Sequence, residues 1–414
     1  MGSFKVAGID VHKKMLAVVI TDAAVEGAFH FERRKFGTMD SDLRELSKWL
    51  AGHGVQEAVM ESTAQYWKPV WRQLEPQCKL YLAQAQSNRA PRGRKRDFAD
   101  AERLVRRQVA GELILSFVPD PEQRLWRTVT RTKYQLTGER VRLHSQLEAL
   151  LEDARIKLSS CVSDLLGVSS RRMMKALAEG ETDPTALAKL ADPSLRATPE
   201  ELADALAAAM TLSSLHRKIL GLFLSRLELI ERQIETLDQS IATALQKHND
   251  AVVRLAEVPG YGPDSAQQII AEVGPEAATF PSAAELASWV GCCPGREESA
   301  EVSKTNRSPK GNRQMRRVLA QVAHAAVQTQ GSTFQALFRR LVGRLGYNKA
   351  MWAVVHRLCR LTWKILHQGV RYEERGALPD PKLVKQRKKK LVRQLQDLGY
   401  EVQLIVRGEA PATA

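Results

Sequence analysis

Phe4-Lys5-Val6-Ala7-Gly8-Ile9-Asp10 and Leu16-Ala17-Val18-Val19-Ile20 are two apolar runs of strand length, close enough in the chain to form a hairpin. The first ends on a carboxylate. Moving outward, Phe29 to Phe36 reads as a third strand, and Asp40 to Leu50 places Leu43, Leu46 and Leu50 on one helical face. Val55 to Met60 is strand-like and runs into Glu61; Trp67 to Leu74 is helical; Lys79 to Ala85 is a further strand. A helix from Phe98 to Gly111 follows a basic stretch that carries Arg92, Arg94 and Lys95.

Three antiparallel strands followed by alternating helix and strand is the order of an RNase H-type domain, so residues 1–118 are expected to form an α/β RNase H-like unit. Fold of this kind does not establish activity. The acids do more. Two-metal phosphoryl chemistry needs carboxylates that converge from elements meeting in space. Asp10 on the first strand, Glu61 at the end of a later one, and Asp97 and Asp100 three apart on one helix face meet that need. A structural alternative remains for each: Asp97 can cap the helix, Asp100 can sit in its first turn favoured by the dipole, and Glu61 can be a polar strand end.

The chain has 414 residues, with 62 Lys+Arg against 47 Asp+Glu, a formal charge of +15 and 44% hydrophobic residues. That length implies two or three domains, and the basic balance favours a polyanionic partner over an acidic small substrate. No apolar run approaches the ~18–20 residues that span a bilayer, and Met1-Gly2-Ser3-Phe4-Lys5 lacks the apolar core of a signal peptide. A cytoplasmic protein without membrane association is expected. The odd set Cys78, Cys161, Cys292, Cys293 and Cys359 contains no Cys-x-x-Cys pair and reads as reduced thiols.

The middle, residues 119–250, is expected to be a long helical, coiled-coil-like region that serves oligomerisation. Val129, Leu136, Leu143 and Leu150 recur every seven residues, with Lys133 and Arg140 at the companion position. Leu220, Phe223, Leu227, Ile230, Ile234, Leu237, Ile241 and Ala244 alternate steps of three and four. Gly180, Pro184, Pro193 and Pro199 mark an insertion between them. An antiparallel hairpin, an intermolecular bundle, or two helices packed inside one domain all satisfy this pattern.

Residues 251–375 read as a mostly α C-terminal domain, and residues 376–414 as a basic tail. Leu255 to Pro263, with Gly260 and Gly262, followed by a helix from Ser265 to Val273, reads as a helix-hairpin-helix whose glycines admit a phosphate; a tight turn between packed helices is the alternative. Beyond it, Trp289-Val290-Gly291-Cys292-Cys293-Pro294 leads to Ser299, then Lys304, Arg307, Lys310-Gly311-Asn312, Arg313, Arg316 and Arg317.

Taken together, Gly8-Ile9-Asp10-Val11-His12-Lys13, Met60-Glu61-Ser62-Thr63 and Lys95-Arg96-Asp97-Phe98-Ala99-Asp100-Ala101 resemble the three acidic motifs of the DEDD insertion-sequence transposases, the bridge-RNA-guided recombinases. The resemblance extends from about Phe4 to Tyr372. It implies a resolvase-like N-terminal domain, a C-terminal transposase domain with a serine nucleophile, and Mg2+ or Mn2+ held by Asp10, Glu61, Asp97 and Asp100. It also implies double-stranded donor and target DNA, a structured guide RNA, and a dimer or tetramer. Ser299 matches the serine motif, although Glu301 stands where a glycine is expected, which keeps Ser303 and Ser308 as candidates. Phosphate contacts are expected from Arg92, Arg94, Lys95, Gly260, Gly262, Lys304, Arg307, Lys310, Arg313, Arg316 and Arg317. For His12 a helper role toward phosphate or a place in the hairpin is expected rather than metal ligation. The alternatives to a recombinase are a hydrolytic junction-resolving endonuclease that uses only the acids, and a non-enzymatic nucleic-acid-binding scaffold.

Overall fold

The computed structural model describes residues 4–24, 29–61, 64–85, 87–88, 97–293, 297–299, 302–305, 308–374, 376 and 381–404. The chain divides into two compact units, Met1–Asp120 and Pro121–Ala414. The stretches expected as a separate middle region and C-terminal domain both fall within the second.

In the first unit, β1 (Lys5–Val11), β2 (Leu16–Asp22) and β3 (Glu32–Phe36) precede α1 (Asp40–Gly52), β4 (Val55–Glu61), α2 (Trp67–Leu74), β5 (Lys79–Ala83) and α3 (Asp97–Val109). They form one five-stranded sheet in the order β3-β2-β1-β4-β5. β2 is antiparallel to both β1 and β3, while β1, β4 and β5 run parallel. From Val6 to Val11 every residue of β1 is buried, because the strand is central and both faces of the sheet are covered.

Strand alternation sorts these residues. Ala7, Ile9 and Val11 join Leu43, Leu46, Leu50, Val70 and Leu74 of α1 and α2 in one core. Val6 of β1 and Val59 of β4 instead pack with Ala101, Leu104 and Val105 of α3. The period of two therefore turns Gly8, Asp10 and Glu61 toward the face that α3 covers. At Gly8 the approach is close: a Cβ there would lie 2.3 Å from the carbonyl oxygen of Ala101 and 2.7 Å from Cγ2 of Val105.

The second unit opens with two long helices, α4 (Pro121–Asp153) and α9 (Ser214–Ala244). Between them lie α5 (Leu158–Cys161), α6 (Val168–Glu179), α7 (Pro184–Ala188) and α8 (Pro199–Ala205). The long helices run antiparallel, as Arg140–Glu231 at 2.9 Å, Lys133–Asp238 and His216–Asp153 at 3.0 Å show. Leu143, Leu147 and Leu151 of α4 share a core with Met173, Met174 and Leu177 of α6 and with Leu220, Leu227 and Ile230 of α9. The heptad seam is thus spent within the chain, and the hairpin is the arrangement adopted among those the pattern allowed. Ile230→Asp should accordingly destabilise the second unit by about 3–5 kcal/mol, the effect of an unpaired buried charge, read as a lowered midpoint in chemical denaturation.

The remaining elements are α10 (Asn249–Ala256), α11 (Pro263–Val273), α12 (Ala283–Val290), the hairpin β6 (Glu297–Ser299) and β7 (Val302–Thr305), α13 (Arg313–Gln328), α14 (Thr333–Leu345), α15 (Tyr347–Gln368) and α16 (Pro381–Asp397). The basic run Lys388-Lys389-Lys390 of the expected tail lies within helix α16. Among the described residues no helix is long and apolar enough to cross a membrane.

Candidate active site and the serine-bearing hairpin

The carboxyl ends of parallel strands, where backbone gives way to loops, are where open α/β sheets hold their ligands. Ile9 and Met60 are partners in the β1–β4 register, so Asp10 and Glu61 follow side by side at that end. α3 begins at Asp97, and its first turn carries Asp97 and Asp100 above the same end. Asp10 is 8% exposed and Asp100 6%, so neither is an incidental surface acid.

Two polar networks organise the four acids. His12, in the β1–β2 turn, places Nε2 3.0 Å from Oδ2 of Asp10 and 3.6 Å from Oδ1 of Asp97. Asp10, His12 and Asp97 offer ligand atoms that all lie within 4.8 Å of one another. Lys35 Nζ stands 3.5 Å from the second oxygen of Asp97. In the other network, Asn88 donates to Glu61 Oε2 at 2.9 Å, Arg103 donates to Asn88 Oδ1 at 3.2 Å, and Arg103 also pairs with Asp100. The sequence suggested one metal site made of all four acids and gave His12 a lesser place; the cluster of ligand atoms joins His12 to Asp10 and Asp97, while Glu61 and Asp100 belong to the second network. The geometry puts His12 between two of them, and a signal existed in its position two residues after Asp10. Asn88 and Arg103 carried no such signal.

This donor set fits a divalent cation. Carboxylate oxygens suit Mg2+ or Mn2+, and an imidazole nitrogen as an additional ligand is better tolerated by Mn2+ than by Mg2+. With α3 seated directly on β1, the fit also depends on Gly8. Gly8→Val should force α3 outward at a cost of about 1–3 kcal/mol or more. The expected result is a lower melting temperature together with weaker Mn2+ binding by calorimetry, since Asp97 and Asp100 ride on the displaced helix.

In the second unit, Ser299 ends β6, where its backbone pairs with Val302 of β7. The side chains of Ser299, Ser303 and Lys304 lie outside the described residues, as do Arg92, Arg94, Lys95 and Arg307 altogether. The base of the segment that carries the hairpin is described in detail. A Cβ on Gly311 would lie 2.1 Å from the carbonyl oxygen of Val290, and one on Gly291, whose φ is +72°, would lie 2.6 Å from that of Pro309. The two backbones cross in contact, which only glycine permits. Arg316 donates to the carbonyls of Gly291 and Pro309 and stacks on Trp352 with 4.5 Å to the ring centroid. Trp352 Nε1 donates to Ser308 Oγ at 2.9 Å, so that hydroxyl serves the anchor.

Asn312 caps α13, accepting from the backbone of Gln314 and Met315, and donates to Glu272 Oε2 at 2.9 Å. Glu272 is 2% exposed and also receives Arg131 at 2.8 and 2.9 Å. The hairpin's base is therefore keyed to α4 through a buried carboxylate. Of the cations expected to hold phosphate, Lys310 and Arg313 are exposed, whereas Arg316 is committed to the anchor and Arg317 lies over Tyr134 at 3.9 Å. At the α10–α11 turn, a Cβ on Gly260 would lie 2.4 Å from the carbonyl oxygen of Val322, so α13 fills the space beside it. Gly262 faces open space.

Comparison with known proteins bears on both units. A DEDD transposase model of the IS110 type matches residues 7–156, and the model described as "Transposase IS116/IS110/IS902 family" matches residues 252–339. The chain is similar to "Putative transposase y4pF/y4sB" of Sinorhizobium fredii, 25% identical over 180 residues, which are 42% of this chain and 46% of that protein. It is also similar to "Insertion element IS110 uncharacterized 43.6 kDa protein" of Streptomyces coelicolor, 26% identical over 152 residues, 36% of this chain and 37% of that protein. The chain thus spans less than half the length of either relative. The two family models fall on the chain in the order that its acidic and serine-bearing segments follow, and over both stretches the chain is similar to the IS110-type DEDD transposases.

Proposed function

We propose that the protein cuts and rejoins double-stranded DNA as an insertion-sequence transposase, using the acids at the carboxyl ends of β1 and β4 together with Ser299. The observation that carries this reading is the convergence of Asp10, His12 and Asp97 within 4.8 Å, beside the Glu61–Asn88–Arg103–Asp100 network.

A divalent ion held by Asp10, Asp97 and their neighbours, Mg2+ or Mn2+, would supply positive charge against the phosphate oxygens. The protein's own groups do the rest. His12 orients the Asp10 carboxylate, and Lys35 steadies Asp97 from the other side. The Ser299 oxygen attacks phosphorus, one phosphorus–oxygen ester bond breaks as the new one forms, and the serine proton leaves to a base while the departing strand's own oxygen takes up a proton to become a hydroxyl. The bond is exchanged rather than hydrolysed, so a hydroxyl on another strand can reverse the attack and no external energy source is needed.

The resemblance to bridge-RNA-guided recombinases supports a structured guide RNA, and the +15 charge suits either nucleic acid. Assembly is the further element of the reading. Leu215, Leu222 and Leu229 recur every seven residues on α9 and remain 64%, 63% and 47% exposed, a stripe that a second copy would cover. Incubation of the protein with Mn2+, a labelled DNA duplex and candidate guide RNA, followed by denaturing electrophoresis, tests the chemistry. A protein-linked DNA band supports the recombinase, whereas free nicked DNA without that band favours a hydrolytic endonuclease.

A further inference from the structure

From Val302 to Tyr372 the chain contains no Asp or Glu, although a run of 71 residues would hold about eight at the chain-wide frequency of 47 in 414. The same run has 14 Lys and Arg. Its longest helix is α15, and burial divides that helix sharply. Ala350, Met351, Val354, Val355, Leu358, Cys359, Thr362, Trp363, Ile365 and Leu366 are buried, and at 100° per residue they occupy all but about a third of the circumference. The remaining strip carries Lys349, His356, Arg357, Arg360, Lys364 and His367, with Ala353 as its one aliphatic residue. A solvated helix face ordinarily mixes both signs of charge; this one has four Lys and Arg and no carboxylate.

These cations are also unspent. Among the described residues, none of Lys349, Arg357, Arg360 and Lys364 makes an ion pair or a side-chain hydrogen bond. His356 reports the resulting field: its pKa is held below the ordinary histidine value by burial, then by the charges of Arg360 and Arg357. From Lys349 to Lys364 the strip is about 22 Å long at ~1.5 Å per residue, enough to follow several phosphates of one duplex strand spaced ~3.4 Å along the axis.

The geometry points to this strip as a docking track for the phosphate backbone of double-stranded DNA, separate from the cations around Ser299. A membrane surface would require apolar residues beside the charges, and the strip offers only Ala353. A single strand would require stacking aromatics. Trp352 is occupied by Arg316, and Trp363 is buried against His367. A straight, base-indifferent row of cations suits the regular backbone of a duplex.

The assignment rests on the reading of the protein as a DNA transposase, and duplex binding by the unaltered protein tests that reading by itself. The strip is tested by the triple variant Arg357→Gln, Arg360→Gln, Lys364→Gln, compared with Lys189→Gln, Lys218→Gln, Arg232→Gln, which removes equal charge from exposed positions of the helical insertion and α9. Affinity for a DNA duplex and for a hairpin RNA is measured by fluorescence anisotropy across a salt series without metal, after circular dichroism shows all proteins folded. The strip variant should lose about 2–3 units of the slope of log affinity against log salt on DNA, near 0.9 for each contact removed, with the comparison variant close to the parent. Equal losses in both variants, an unchanged slope, or a loss confined to RNA would each overturn the assignment.

Discussion

Asp10→Ala should abolish metal-dependent strand cleavage, with a fall of at least ~10³-fold in initial rate and nucleic-acid binding retained. Asp10 is buried at the carboxyl end of the central strand, with His12 at 3.0 Å and its ligand atom within 4.8 Å of those of His12 and Asp97, so its loss removes a central member of that cluster. Asp97→Ala should behave alike. His12→Ala separates two roles for the imidazole. As an orienting partner of Asp10 its loss should cost about 10–100-fold in metal affinity, recoverable at high Mn2+; as a direct ligand its loss should not be recovered by added metal. Single-turnover cleavage across a Mn2+ titration distinguishes these outcomes. Normal cutting by Asp10→Ala would remove the proposed metal site altogether.

The places of the four acids on their strands and helix were legible because strand and helix periods are local. Alternation in Val6 to Asp10 and in Val55 to Glu61 sets which face each residue takes, and the i, i+3 spacing of Asp97 and Asp100 sets their common direction. Features that depend on distant backbone were not legible. Nothing near Gly260 in the chain tells whether a phosphate or a helix will lie against it, and α13, some sixty residues away, is what packs there. Gly291 and Gly311 likewise make sense only once their backbones cross. The heptads of α9 specify that a partner helix exists and not which chain supplies it; α4 satisfies the seam, and the seven-residue stripe at Leu215, Leu222 and Leu229 lies on another face. Arg316 and Arg317 looked like phosphate ligands because basic runs usually are solvated, whereas here aromatic rings from α15 and α4 hold them.

Ser299→Ala should eliminate the covalent protein–DNA adduct and all recombinant product, while metal and nucleic-acid binding persist and any residual hydrolytic nicking stays low. The anchored base of its hairpin supports this expectation: a nucleophile needs its backbone positioned, and Gly291, Gly311, Arg316 and Trp352 fix both ends of the segment that carries Ser299. Ser308 provides the internal comparison. Its hydroxyl accepts from Trp352, so Ser308→Ala should loosen the anchor and reduce the adduct yield by about tenfold or less, the effect of one lost hydrogen bond. Ser303 lies opposite Glu298 in the hairpin register, and Ser303→Ala should leave the adduct in place if Ser299 is the nucleophile. Mass spectrometry of the peptide linked to nucleotide identifies the modified residue directly. Adduct on Ser303 would shift the motif register by four residues, and recombination by all three alanine variants would leave cleavage to water and the acids, the chemistry of a resolving endonuclease.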